Sequence, residues 1–408
     1  MLSLRLSKKP LKEGISMRKS LLAMAALMGV ATLPAHAWRV NIDKETFADI
    51  GFSTIVRGIY EGKRNENPNV KNRLNFFVPL FNITGSGHVN KLVYFNMNAE
   101  GGSTSATLSE NTIRVRDAFI GLKFADEFRV QAGLMRVPFS RNALTSTYAM
   151  LVPYTPRFGA LAVQPTDVGA GLSPRDHGIV VWGNVAGGMV KYYLGVTDGE
   201  TISKSTDDSL AYTIRLQFTP TMLGFKGETG YTLADTYLGR QNVLSIGVGY
   251  RVVGRNDSTA DHNADTKMWT VDMLYEQKFG NLVPNLQVGY INQNDTRGRA
   301  NEKASQLYIQ GGVLFDQMMG FGKPALAVRL EQNQNKIPAA SSNQDEPKVT
   351  RLGVWGHYYI KGQAAKVSLG LDSVRLNSEA RNRTCSDYGV NGNCRNFTDV
   401  TLQFQTQF

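Results

Sequence analysis

The chain has 408 residues, with 45 Lys and Arg against 34 Asp and Glu, a formal charge of +11 and a mean hydropathy of −0.24. A charged fraction of 19% excludes a bundle of membrane helices, and the length admits two or three soluble domains or one large β architecture. No long basic run follows the first 37 residues, which argues against a nucleic-acid partner.

The one helix-like apolar run, Leu21 to Leu33, is too short to span a bilayer. It follows Arg18 and Lys19 and leads into Pro34-Ala35-His36-Ala37. A basic start, a short apolar core and a small-residue exit predict a signal peptide over residues 1–37, cleaved before Trp38. Met17 opens such a peptide better than Met1. Its removal takes six bases and one acid and lowers the formal charge to +6.

From Glu45 onward the sequence predicts strands of about 9–13 residues, long enough to cross an outer membrane when tilted. The first, Thr46 to Tyr60, sets Ile50, Phe52, Val56 and Tyr60 against Asp49, Ser53 and Arg57. The second, Arg73 to Ile83, is expected to end in a Gly-rich turn over Thr84 to His88. A third carries Val93, Phe95, Met97 and Ala99 against Asn96, Asn98 and Glu100. The fourth, Thr112 to Phe124, alternates poorly and has no readable orientation. In the fifth, Phe128 to Val137, Val130, Ala132 and Leu134 oppose Arg129 and Gln131.

Periodicity then stops over Pro138 to Arg175, which holds five prolines. A stretch of that length needs a reason in a compact fold. In a barrel it is a loop folded into the lumen, where it narrows the pore; the alternative is a surface lid. Strands resume at His177 to Val185 and Val190 to Thr197, joined by an Ala-Gly-Gly hairpin, and at Leu210 to Phe218. Short turns and long loops alternate in such a barrel, with the turns on the periplasmic side. That alternation holds only if Thr219 to Asn242 is an extended periplasmic connection rather than a strand. Six further strands follow: Val243 to Val253, Lys267 to Phe279, Pro284 to Gln293, Ser305 to Phe315, Ala325 to Asn333 and Val349 to Ile360. The next is centred on Lys366 to Asp372. The last, Phe397 to Phe408, puts Leu402, Phe404 and Phe408 on one parity and Gln403, Gln405 and Gln407 on the other.

These elements predict an all-β, 16-stranded antiparallel transmembrane barrel over residues 38–408, with both ends of the chain in the periplasm. Alternation alone does not separate a greasy outside from a greasy core, since a soluble sandwich alternates as well. The terminal Phe408, the strand length and the signal peptide favour the barrel. Cys385 and Cys394 lie close together in the polar loop Asn377 to Asn396, and in an exported protein they are expected to form a disulfide.

Three stretches carry a family resemblance: Asp117-Ala118-Phe119-Ile120-Gly121; Ala132 to Ser140 with Leu144-Thr145-Ser146 and Arg175-Asp176-His177-Gly178; and Asp235-Thr236-Tyr237-Leu238-Gly239. In this order they resemble the phosphate-selective porin O and P family. The resemblance implies a trimeric outer-membrane channel of a Gram-negative bacterium, with inward bases along the pore. It does not imply phosphate, because relatives differ in substrate.

The bases on inward parity here are Arg57, Arg129, Lys191, Arg215, Arg251, Arg329, Arg351 and Lys366, and the proline-rich loop adds Arg141, Arg157 and Arg175. Facing them are Asp49, Asp272, Glu276, Glu331 and Asp372, so each base has the plainer reading of a wall ion pair. The expected function is passive diffusion of small anionic or polar solutes, phosphate and other oxyanions among them. The alternatives are a non-selective porin and a structural or adhesive barrel with a plugged lumen. Outer-membrane lipid, two further copies of the chain, and assembly machinery that reads Phe408 are the expected partners. Scattered single histidines and the lack of a nucleophile near them in sequence predict no metal, no cofactor and no enzymatic activity.

Overall fold

A computed structural model describes residues 38–64, 71–102, 113–153, 175–199, 210–254, 265–294, 303–336, 346–382 and 394–408. The expected signal peptide, Arg157, Cys385 and the rest of the stretch 154–174 lie outside the described residues. The strands are β1 (Trp38–Asn41), β2 (Phe47–Glu61), β3 (Arg73–His88), β4 (Val93–Gly101), β5 (Arg114–Lys123), β6 (Arg129–Arg136), β7 (Arg175–Val185), β8 (Val190–Thr197), β9 (Ala211–Phe218), β10 (Val243–Val253), β11 (Thr266–Glu276), β12 (Leu282–Asn294), β13 (Lys303–Phe315), β14 (Lys323–Lys336), β15 (Lys348–Tyr359), β16 (Ala365–Leu376) and β17 (Phe397–Gln407).

Each strand from β2 to β17 pairs antiparallel with its sequence neighbours. β17 also pairs with β2, from Val400↔Tyr60 to Gln407↔Ser53, which closes a 16-stranded barrel. Phe408 completes the closure: it exchanges two backbone hydrogen bonds of 2.9 Å with Phe52, and the two rings lie 5.5 Å apart. Closure leaves no unpaired barrel edge, which a bilayer does not tolerate. β1 is a short hairpin strand that the sequence reading missed. It pairs with β2 over Phe47 to Ile50, beyond the reach of β17.

The two faces of the wall differ in kind. Tyr212, Ile214, Leu216 and Phe218 of β9 are 43–57% exposed, while Thr213, Arg215 and Gln217 between them are buried. β11 repeats this with Trp269 and Val271 outside and Asp272 and Glu276 inside, and β14 with Leu326, Val328 and Leu330 outside and Arg329 and Glu331 inside. Apolar out and charged in is the reverse of a soluble sandwich, and it identifies lipid as the outer solvent.

Inward rings lie over glycines on the next strand. Trp355 pairs with Gly370, where a Cβ would approach the indole to 2.1 Å, and Tyr308 with Gly289, where it would approach the ring to 2.2 Å. The Gly-rich turn expected at Thr84 to His88 is instead strand: β3 continues to His88 and turns at residues 89–92. Gly87 is needed there because a Cβ would meet the Phe47 carbonyl at 2.1 Å. The poor alternation of the fourth predicted strand also has a cause. Asn98 pairs with Asp117 but Ala99 with Val115, so Arg116 is an extra residue and the parity flips across it.

Candidate functional site

β6 ends at Arg136, and Pro138, which has no N–H for a ladder, follows after Val137. Ser140 then caps a four-residue helix, α1 (Arg141–Leu144), its Oγ accepting from Ala143 N at 3.2 Å. The described part of this stretch, Pro138 to Pro153, is held by its backbone carbonyls. Arg215 donates to Phe139 O at 3.4 Å, and Arg136 to Ala143 O and Thr145 O at 3.1 and 3.0 Å. Gln405 reaches Tyr148 O at 2.8 Å, Lys366 reaches Met150 O at 3.1 Å, and Arg57 reaches Pro153 O at 3.4 Å. The donors come from β2, β6, β9, β16 and β17, on opposite parts of the wall.

The connection 219–242 carries no strand, as the loop alternation required, and it too turns against inward side chains. Lys191 donates to Glu228 O at 2.6 Å and to Gly230 O, and Asn285 and Gln287 both donate to Asp235 O, at 2.7 and 2.8 Å. The two segments interlock. Thr145 bridges Leu233, while Leu233 N donates to Leu144 O at 2.9 Å and Ser146 N to Leu233 O at 3.0 Å. The Asp235 carboxylate accepts from Leu151 N, Thr145 Oγ1 and Gln310 Nε2 at 3.1–3.2 Å. The Arg141 guanidinium lies between the Glu228 carboxylate, Ala234 O (3.0 Å) and Ser245 Oγ (2.6 Å). Burial pushes the Glu228 carboxyl up, but the charge and hydrogen bonds of Arg141 outweigh it and hold the group below its ordinary value.

Most of the anticipated bases meet acids. Arg215 makes two 2.7 Å bonds to Asp272, Arg251 reaches Asp176 at 3.1 Å, and Arg175 grips Asp117 at 3.0 and 3.1 Å. Arg329 lies 3.7 Å from Glu331, and Arg351 lies 3.8 Å from Asp372. Arg129 sits at the short-turn end, bonded to Asp126 at 2.6 Å beneath the Trp182 ring. Arg57 bonds Gln403. Among the described residues Lys191, Lys366 and Arg136 have no carboxylate at ion-pair distance; their partners are carbonyl and amide oxygens.

Between Ser146 to Tyr148 and the wall of β2 to β6 is a cavity of about 200 Å³. Its polar lining includes Ser53, Asn82, Thr84 and Asn98, and its charged lining Glu100, Arg136 and Arg175. Glu100 is matched by Arg114 and Arg116, at 3.2 and 3.3 Å. Arg116 and Arg136 were missed as candidates: the bulge hid the first, and the second lies at a strand end where parity says little. A separate trio, Asp176, His177 and Asp198, has ligand atoms within 4.8 Å of one another. The Asp176 carboxylate already accepts from His177 N, Gly199 N and Arg251, so the trio is read as a loop anchor.

A closed 16-stranded barrel, lipid-facing outside and charged within, defines an outer-membrane porin. Residues 56–313 match the family model "Phosphate-selective porin O and P", and the chain belongs to that family. An uncharacterized protein of Aquifex aeolicus (strain VF5) is 28% identical over 272 residues, covering 62% of this chain; the chain spans 61% of that relative's length. Among solved structures, the anion-selective porin from Comamonas acidovorans superposes with TM-score 0.55 at 11% identity, over 89% of this chain and all of its own. The outer membrane channel DcaP of Acinetobacter baumannii does so with TM-score 0.52 at 10% identity, over 90% and 99%. Identities this low speak for the fold alone.

Proposed function

We propose that the protein is a passive diffusion channel for small anionic or polar solutes, with Pro138 to Arg175 folded into the lumen and setting the pore's width. The observation that carries this reading is the cavity beside Ser146 to Tyr148. Its one lining acid, Glu100, is matched by Arg114 and Arg116, and the lining Arg175 is matched by Asp117, while the lining Arg136 bonds carbonyl oxygens and has no carboxylate at ion-pair distance among the described residues. Fixed charge acts most strongly where water is scarce, so a narrow zone with surplus guanidinium favours anions. Phosphate and other oxyanions fit this chemistry, as do carboxylates. The Comamonas structure's description as anion-selective is in line with it. The test is a reversal potential across a planar bilayer under a KCl gradient. A chloride-favouring sign supports the reading, and a potassium-favouring sign refutes it.

A second reading is a barrel with a plugged lumen. The interlock of the stretches 138–153 and 219–242 favours it, because their mutual bonds and those to Asn285 and Gln310 would hold them across part of the lumen. Absence of single-channel conductance in correctly folded protein would decide for the plug, and steps of conductance without ion preference for a general porin. Further parts of the proposal are a homotrimer in the outer membrane of a Gram-negative bacterium, secretion through a signal peptide cleaved before Trp38, recognition of Phe408 by barrel-assembly machinery, and a Cys385–Cys394 disulfide. Cys394 is buried and carries no free thiol, in keeping with the last.

A further inference from the structure

A second cavity, of about 440 Å³, lies at the long-loop end of β16, β17, β2 and β3. Its lining includes Ser373, Thr398, Gly62 and Asn72. Ser373 and Thr398 are register partners. Gly62 lies so close to Thr398 that a Cβ would meet its carbonyl at 2.4 Å. Ser373, Arg375 and Thr398 share the parity of Leu369, Leu371 and Val400, which are 57, 45 and 39% exposed on the lipid-facing side. The cavity therefore opens outward, above the apolar band, and not into the lumen.

Three cations line it: Lys63, Arg375 and Arg395. Among the described residues none of the three has a carboxylate at ion-pair distance. The nearby acids Glu61 and Asp399 are both taken by Arg64, at 3.3 and 2.8 Å, and Asp399 also accepts from Gly62 N at 3.0 Å. Hydroxyls, amides and three unmatched cations around a recess form a site for an anion rich in acceptor oxygens. In an outer-membrane barrel the long-loop end faces outside. A recess there, directly above lipid-facing side chains, lies at the depth of the outer leaflet's headgroups. We propose that this cavity binds the phosphate groups of a phosphorylated glycolipid of the outer leaflet. The inference is independent of what passes through the pore.

The test compares binding of diphosphoryl lipid A, the same lipid without its phosphates, and inorganic phosphate. The whole protein, purified in detergent, is titrated with each and read by native mass spectrometry. The variant is the triple Lys63→Ala, Arg375→Ala, Arg395→Ala, with bilayer conductance as the control for an intact pore. Diphosphoryl lipid A is expected to bind the wild type at least tenfold tighter than the dephosphorylated lipid, and at least tenfold tighter than it binds the variant, with conductance unchanged. Equal affinity for wild type and variant overturns the proposal. So does saturation of the cavity by inorganic phosphate with no gain from the lipid, which would make it a free-ion site. Arg375→Glu alone, on an exposed side chain, serves if the triple variant does not assemble; it is expected to lower lipid A affinity in the same direction, and unchanged affinity again overturns the idea.

Discussion

Arg136 shows why an inventory of charges is a poor guide to a field. Arg215, Arg251 and Arg141 are more deeply buried, yet each faces a carboxylate and contributes little beyond a few ångströms. Arg136 faces carbonyls. One such charge ~6 Å from a passing ion, at an effective dielectric of ~40, is worth ~1.4 kcal/mol, about tenfold in a permeability ratio. Arg136→Ala is therefore expected to lower the anion-to-cation permeability ratio by up to that factor, read as a reversal potential closer to zero. The shift should be larger at 0.01 M salt, where the screening length is about 30 Å, than at 1 M. Removing a paired acid has the opposite kind of consequence. Asp272→Asn leaves Arg215 buried with half its bonds, at a cost of about 3–5 kcal/mol, and should appear as a lower unfolding temperature of the barrel on heated gels. Glu228 has a depressed carboxyl, so its contribution is present above the unfolded value near 4.3 and is lost only as pH falls through a still lower folded value. Titration of the Glu228 carboxyl is therefore expected to leave conductance unchanged from pH 8 to 5. Glu228→Gln, which discards the charge but keeps the shape, should raise it at neutral pH by loosening the interlock.

At the scale of elements, the sequence was readable wherever a strand was long, regular and two-faced. β9, β11, β14 and β17 carry the faces that alternation assigned to them, because one side meets lipid and the other meets polar groups. It was unreadable where geometry departs from period two. In β5 the extra residue Arg116 flips the parity, and in β3 Gly85 and Gly87 look like a turn although both are in the strand and Gly87 answers the close approach of β2. β1 is four residues long and has no period to show. The inward bases were legible as a set, but not their partners: whether Arg141 meets solute or Glu228 depends on a contact between positions 87 apart in sequence. The motif residues Asp117 and Asp235 pointed to the family without revealing that one grips Arg175 and the other joins the stretch 138–153 to the connection 219–242. Deletion of 142–149 is expected to raise single-channel conductance while the barrel still forms. Unchanged conductance would make the stretch a lid. Gly289→Val should impair folding, because Tyr308 already occupies the space of its side chain.

For the whole molecule, the closed hydrogen-bond circuit implies resistance to heat and detergent, and the proposed trimer should run as a slow band in unheated gels. A monomer mass under mild detergent counts against it. The anchoring of Pro138 to Pro153 has a consequence for how such proteins diverge. Arg215, Arg136, Gln405, Lys366 and Arg57 hold it through main-chain oxygens, and every residue type supplies one of those. Side chains of this stretch other than those that themselves bind, such as Arg141 and Thr145, can be exchanged without removing any of these five main-chain bonds. Natural selection is thus free to retune the passage for a new nutrient by small steps, while the fastening that each step relies on is inherited unchanged.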